Sequence, residues 1–272
     1  MENVAKLKLF SKINNRSKMD IILYNIAVII ILLVVSYLAG SIPNSIWIGK
    51  LFFHKDPRDF GSGNAGGTNA GRIFGKKIGL LVIFLDGLKL LIPLYIAWIV
   101  LTMAPINNGA PLMNTVREIY VEGKNDAIIN WPIYWVMVFG CSIGHCFPIF
   151  AGFRGGKNVS SFYGLALGAS WAIGFIPGFL FFGMLKWKKY VSLASISSSI
   201  FAVILSWIWA ILMLTKTIQG EWVWFITYGP ALECNYVFAI AITFSAALLI
   251  FQHRSNIERL RAGNERKITW MK

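Results

Sequence analysis

Along its length the chain alternates long apolar runs with short polar stretches. A helix that crosses a bilayer needs about 20 consecutive apolar residues, and Ile21–Leu38 supplies the first run, continuing as helix through "GSIPNSIWIGKLFF". Ile78–Met103 is the second and Pro132–Phe150 the third. Residues 158–184, "NVSSFYGLALGASWAIGFIPGFLFFGM", are apolar but interrupted by Gly174, Pro177 and Gly178. They predict a short helix, a turn and a second short helix that ends at Lys186, Lys188 and Lys189. Leu193–Leu214 and Tyr236–Phe251 complete the set. The pattern predicts about seven spans, or one fewer if 158–184 crosses once. A mixed polar segment, Pro105–Asn130, separates the second and third spans, and a basic arm, residues 1–20, precedes the first. With no internal repeat and no low-complexity linker, residues 21–272 are expected to form a single membrane-embedded domain.

Composition agrees. Of 272 residues, 56% are hydrophobic and 14% charged, against about 25% charged in a soluble domain. The formal charge of +14 adds a second question. It is either a topology signal, since Lys and Arg collect in cytoplasmic loops, or the mark of a site for anions. Position bears on both. Seven spans with an outside N-terminus put the 50–77 loop, Arg154 and Lys157, the Lys186 cluster and the tail on one face, as the positive-inside rule wants. Six spans would place the tail opposite the first loop. Only the arm, with Lys6, Lys8, Lys12, Arg16 and Lys18, runs against this topology. The apolar run after the arm has no small-residue cleavage site close behind it, so no cleavable signal peptide is expected. Cys141, Cys146 and Cys234 form no CxxC pair, and His54, His145 and His253 are scattered. Reduced, buried thiols are expected, with no metal and no cofactor. Nothing indicates a nucleic-acid partner, and the sequence leaves protein partners unknown; membrane lipids are the expected surroundings.

Three polar stretches fall on the same predicted face: "GSGNAGGTNAGR" (61–72), "GHCFPIFAGFRGGKNVSS" (144–161) and "HRSNIERLRAGNERK" (253–267). All are rich in Gly, Asn, Ser and basic residues. Glycine lets backbone N–H groups converge on an anion, and Gly155-Gly156-Lys157 opening a helix would add a helix dipole and a point charge for a phosphate. The plainer reading is that these glycines serve close packing and that Ser62 or Asn64 caps a helix. Asp86 and Lys89 stand apart, as ionisable residues inside "LVIFLDGLKLLIP". One turn apart, they can pair on one helix face, yet intramembrane ions are functional candidates by default. His145 lies at a span end, and His253 where the last span meets the tail.

Four segments, "YLAGSIPNSIWIGKL", "DPRDFGSGNAGGTNAGRIFGKKIGLLVIFLDGLK", "GHCFPIFAGFRGGK" and "NIERLRAGNERK", resemble in order the motifs of the bacterial acyl-phosphate:glycerol-3-phosphate acyltransferase family. The resemblance covers nearly all of the chain from residue 36 onward, and four ordered motifs are far more specific than any one Gly-rich loop. It implies an all-α, polytopic integral membrane bundle of about seven helices, some short or broken, with its motifs on the cytoplasmic side. It also implies a reaction: transfer of a fatty acyl group from acyl phosphate to the 1-hydroxyl of glycerol 3-phosphate, the first step of phospholipid synthesis. Acyl phosphate is already an activated anhydride, so the protein's task becomes positioning and charge stabilisation. Accordingly there is no GxSxG elbow, and neither His145 nor His253 is followed four residues on by an Asp.

Carried over residue by residue, Ser41, Arg58, Ser62, Asn64, Thr68, Asn69 and Arg72 resemble the first motif. Gly155, Gly156, Lys157 and Ser161 resemble the second, and His253, Asn256, Arg259 and Glu265 the third. The resemblance assigns the Gly-Gly-Lys loop to the phosphate of acyl phosphate, and Arg58, Lys89 and the tail to glycerol 3-phosphate. His253, Ser41 and Asn256 are the catalytic candidates, and the base is either His253 or the acyl phosphate's own oxygen. The chain departs from the family pattern in three places. It reads "GGKNVSS" where GGKGVAT is usual, Leu90 where Gly usually follows the lysine, and Gly67 where Ala is usual. Asn158 takes the left-handed conformation at modest cost, so a working loop is expected. An anion or solute transporter, whose broken helices and intramembrane lysine would look similar, is the rival reading, and a lipid-binding scaffold without catalysis is a third.

Overall fold

The computed structural model describes residues 23, 25–102, 105–107, 110–111, 132–215, 217, 232 and 234–268. The basic arm and nearly all of the 105–130 segment lie outside the described residues. Helix α1 (25–40) and α2 (Asn44–Phe53) form one apolar run of 29 residues, broken at Ser41-Ile42-Pro43. Proline removes a donor and disfavours helical backbone in the residue before it. The carbonyl of Ile42 at this break accepts from the Asn44 N–H at 3.2 Å and from Lys89 Nζ at 2.9 Å. A short helix α3 (Gly67–Phe74) leads into α4 (Lys76–Thr102), and a two-stranded pair, β1 (Pro105–Asn107) and β2 (Ala110–Pro111), follows. Then come α5 (Val136–Cys146), α6 (Val159–Ala169), α7 (Trp171–Lys188), α8 (Val191–Leu214), α9 (Tyr236–Gln252) and α10 (Arg254–Arg261).

Among the described residues, four helical stretches are long and apolar enough to cross a membrane, or five if α9 and α10, bent by 56°, count as one. The 158–184 run breaks as its composition suggests, but at a different place. Ser170 is extended (φ −154°, ψ 125°), and its Oγ accepts from the N–H of Ile173 at 3.4 Å. Gly174, Pro177 and Gly178 all lie inside α7. A serine cap satisfies a first-turn donor, whereas a proline or glycine only weakens a helix that its neighbours can support. The two helices fold back on each other, for Tyr163 meets Phe181 edge-on with ring centroids 5.6 Å apart. Both ends of this hairpin therefore return to the same face.

The interior is built from Tyr134, Trp135, Phe162 and Phe238, all fully buried. Helices α1 and α5 approach backbone to backbone: a Cβ on Gly144 would meet the carbonyl of Tyr37 and the N–H of Ser41. Small residues permit such backbone approach in membrane helices. Outward the bundle is apolar, with Phe84 62% and Phe179 74% exposed, as lipid rather than water requires. The three cysteines are buried, and the Cys234 Sγ donates to the carbonyl of Ala169 at 3.3 Å.

Candidate active site

The first polar loop is braced by two side chains. Asp56 caps the turn Pro57–Asp59, accepting from the Arg58 N–H at 3.0 Å, from Nε at 3.0 Å and from Nη2 at 2.8 Å. The hydrogen bond from Arg58 holds the Asp56 carboxyl well below the usual carboxylate range, at about 2. Arg58 Nη1 reaches across to the carbonyl of Ala151 at 2.7 Å. Asn69, 1% exposed, is the second brace. Its Oδ1 accepts from Ser62 N–H at 2.8 Å, and its Nδ2 donates to the carbonyls of Pro57 (2.8 Å) and Phe60 (3.1 Å). Arg58 and Asn69 are thus spent on holding the loop. Ser62, Thr68 and Arg72 stay exposed and Asn64 half-buried, free to meet a ligand.

The second stretch folds under itself. Gly155 N–H donates to the carbonyl of Cys146 at 3.2 Å, and Gly156 N–H to that of His145 at 3.0 Å. A Cβ on Gly156 would run into the His145 ring. These two N–H groups therefore do not converge on an anion, contrary to the expectation from sequence. The glycines serve instead to lay the loop on the end of α5, and the donors that follow them are Lys157 and the first-turn N–H groups of α6, which a helix leaves without an internal partner. Asn158 does take the left-handed conformation, at φ 63° and ψ 10°. Ser161 is fully buried, its Oγ donating to the carbonyl of Asp86 at 3.0 Å and lying 3.3 Å from His145 Nδ1. Ser41 is fully buried too, and accepts from the N–H of Ile149 at 3.4 Å. Lys89 lies 3.4 Å from Asp86 Oδ1, to which Asn44 Nδ2 also donates at 2.9 Å. Asp86, Lys89, His145 and the two glycines line a cavity of about 10 Å³, room for a water and not for a substrate. Lys89 lines this small enclosed space, and Ser161 is bonded to the carbonyl of Asp86 beside it.

The tail closes over the loop. Lys157 Nζ donates to Asn256 Oδ1, and Asn256 Nδ2 donates to Glu265 Oε1 at 2.7 Å. Glu265 also accepts from Arg259 Nε at 2.7 Å and from Ser192 Oγ at 3.0 Å. Arg266 Nη1 donates to the carbonyl of Gly61 at 2.6 Å, and Ile268 N–H to that of Lys189 at 2.8 Å. His253, 3% exposed, has Nδ1 2.8 Å from the carbonyl of Leu249. Only a donor fits there, so Nδ1 carries the proton and Nε2 keeps its lone pair. Burial, with Arg259 and Arg72 near, lowers the Lys157 ammonium to about 8, while Glu265 opposes the shift. Burial also works against the Glu265 carboxylate, but the hydrogen bonds from Asn256, Arg259 and Ser192 outweigh it and hold the group below its ordinary value. Arg72 feels burial and the charge of Arg266. Three stretches far apart in sequence therefore make one basic surface around Lys157, suited to phosphate.

A family model described as glycerol-3-phosphate acyltransferase matches residues 30–263. The chain belongs to the glycerol-3-phosphate acyltransferase family. A glycerol-3-phosphate acyltransferase of Staphylococcus saprophyticus is 35% identical over 244 residues, spanning 89% of this chain and 99% of that protein. One of Listeria monocytogenes is 33% identical over 244 residues, spanning 89% and 98%. The crystal structure of PlsY (YgiH), an integral membrane glycerol 3-phosphate acyltransferase, in its glycerol 3-phosphate form is 30% identical. It superposes with a TM-score of 0.62 over 89% of this chain and 96% of that one. Its lysophosphatidic acid form gives 29% identity and a TM-score of 0.61. This glycerol-3-phosphate acyltransferase family member is accordingly a multi-pass integral membrane protein. Sequence reading passed over three of its contributors. Asp56 was legible as a cap before a proline, but Arg266 and Ser192 act through contacts that no local pattern announces.

Proposed function

We propose that this chain moves a fatty acyl group from acyl phosphate to the 1-hydroxyl of glycerol 3-phosphate, releasing 1-acylglycerol 3-phosphate and inorganic phosphate. The observation that carries the reading is the meeting of the three basic, Gly- and Asn-rich stretches around Lys157, in a chain of this family. Lys157 and the first turn of α6 hold the phosphate of acyl phosphate; Arg72 and Arg259 hold that of glycerol 3-phosphate, with Ser62, Asn64 and Thr68 at the rim. The hydroxyl oxygen attacks the acyl carbonyl carbon, the bond from that carbon to the phosphate oxygen breaks, and phosphate departs. The leaving phosphate oxygen takes the hydroxyl proton, while His253 Nε2 accepts a hydrogen bond that orients the glycerol. Asn256 and Glu265 aim Lys157; Ser41, Arg58, Asn69, Lys89, Gly155, Gly156 and Ser161 shape the surface on which this happens. Residues 21–272 act as one domain in doing so. A transport site near the bilayer midplane would not need these three polar stretches to meet on one face.

Purified protein given labelled acyl phosphate and glycerol 3-phosphate should form labelled 1-acylglycerol 3-phosphate with an equal amount of phosphate, and acyl-CoA should not replace the donor. Uptake of glycerol 3-phosphate into vesicles with no product formed would favour the transporter. We place the site on the cytoplasmic face of a bacterial cell membrane, by the distribution of Lys and Arg. Single cysteines at Lys76, Arg154, Lys188 and Lys267 should then react with an impermeant reagent from that side only; labelling of the Lys267 position from outside would refute this topology.

A further inference from the structure

We infer that Asn158 is a positioning residue, tying the anion loop to the last apolar helix and so setting where Lys157 stands. The position before a helix normally turns its side chain back to cap a first-turn N–H, and Asn158 makes no such bond. Its Nδ2 points away, donating to the carbonyl of Ser245 at 3.1 Å and to Ser245 Oγ at 2.8 Å. Ser245 lies on α9, and its Oγ is 3.2 Å from Ser142 Oγ on α5. All three side chains are fully buried. The knot therefore joins α5, α6 and α9 out of reach of water, where an unmade hydrogen bond is costly.

A left-handed backbone alone does not call for this side chain, since glycine adopts it more cheaply. What asparagine adds is the donor, and the donor spans the elements whose spacing matters. Lys157 is its chain neighbour, while His253 and Asn256 continue from the end of α9. Fixing the start of α6 to Ser245 fixes the reach of Lys157 Nζ to Asn256 Oδ1. Asn158 touches no reacting atom in this scheme; it acts through Lys157.

The inference rests on the acyltransferase reading, and a double-mutant comparison tests it. Asn158→Gly keeps the backbone and deletes the tether, and should raise KM for acyl phosphate about tenfold with little change in kcat. Ser245→Ala leaves the carbonyl acceptor and should act in the same direction but less. The double variant should be no worse than Asn158→Gly. Asn158→Asp tolerates the same backbone but sets an acceptor against the Ser245 carbonyl, and should not rescue. An unchanged KM in Asn158→Gly, or losses that add in the double variant, would overturn the tether. If Asn158→Gly does not fold, the KM of Ser245→Ala decides alone. If the wild type transfers nothing, the reaction reading fails; the tether is then judged by inorganic phosphate, titrated against melting temperature. A tenfold weaker midpoint in Asn158→Gly supports it on about the scale expected for coupled sites, and an equal midpoint rejects it.

Discussion

Lys157→Ala should lower kcat/KM for acyl phosphate about a hundredfold while the melting temperature hardly moves. The residue donates to Asn256, tying the loop to the tail. A charge-assisted contact to phosphate is worth about 2–3 kcal/mol, which is the hundredfold. Folding should be nearly indifferent, because the ammonium is disfavoured where it stands: burial, Arg259 and Arg72 lower it to about 8. The same shift gives a signature in pH. As pH rises through about 8 the free protein loses the charge that draws phosphate, so wild-type kcat/KM should fall there, and the alanine variant should show no such step. Stability should move the other way. Between about 8 and the ordinary lysine value of 10.5 the unfolded chain holds the proton that the folded chain has shed, so stability rises with pH over that window. His253, lowered to about 4, and Glu265, held below its ordinary value, face the same ammonium but change charge well below pH 8, so the step belongs to Lys157 and should appear in the difference between wild type and variant. Kinetics unchanged in Lys157→Ala would remove the phosphate role.

Glu265→Ala should abolish transfer with the apolar helices still assembled. Its carboxylate is the common acceptor for Asn256, Arg259 and Ser192. Without it the Asn256 amide loses its anchor and Lys157 its alignment, while Arg259 is left near Lys157 with no counter-charge. Two of those bonds involve a charged donor or a largely buried one, at about 1.5–3 kcal/mol each, so a fall of more than about a hundredfold is expected. Glu265→Gln should recover part of it, because one oxygen still accepts from Asn256 whereas the new amide opposes Arg259. The ionised carboxylate is favoured in the folded state, so its contribution is complete above the unfolded carboxyl pKa. It is lost only as pH falls through the lowered folded value. Circular dichroism and size-exclusion behaviour in detergent separate this from unfolding. An inactive variant whose helices have also melted would make Glu265 merely structural.

Much of this protein is legible without coordinates, because lipid enforces simple rules. The run from Ile78 is helical through Thr102, since a backbone in hydrocarbon must bond to itself, and basic residues of the three polar stretches gather around Lys157. The ordered motifs direct attention to the Gly155-Gly156-Lys157 loop, although the fold spends both glycine N–H groups on carbonyls of α5. The left-handed Asn158 follows from residue chemistry alone. Other features depend on distance. Composition draws attention to Gly174 and Pro177, yet the helix breaks at Ser170, because a cap is decided by one hydrogen bond and a proline can be carried by its neighbours. Asn69 and Ser161 belong to the same polar stretches as Arg72 and Lys157, while Arg58 just precedes one and Lys89 sits in an apolar run, but the fold turns all of them inward to carbonyls of Pro57, Asp86, Ala151 and Ile42. Sequence determines which side chains can bond to phosphate or to backbone. Which of the two they meet depends on groups 12 to 93 residues away along the chain, and only packing brings those groups within the 3 Å that a hydrogen bond requires.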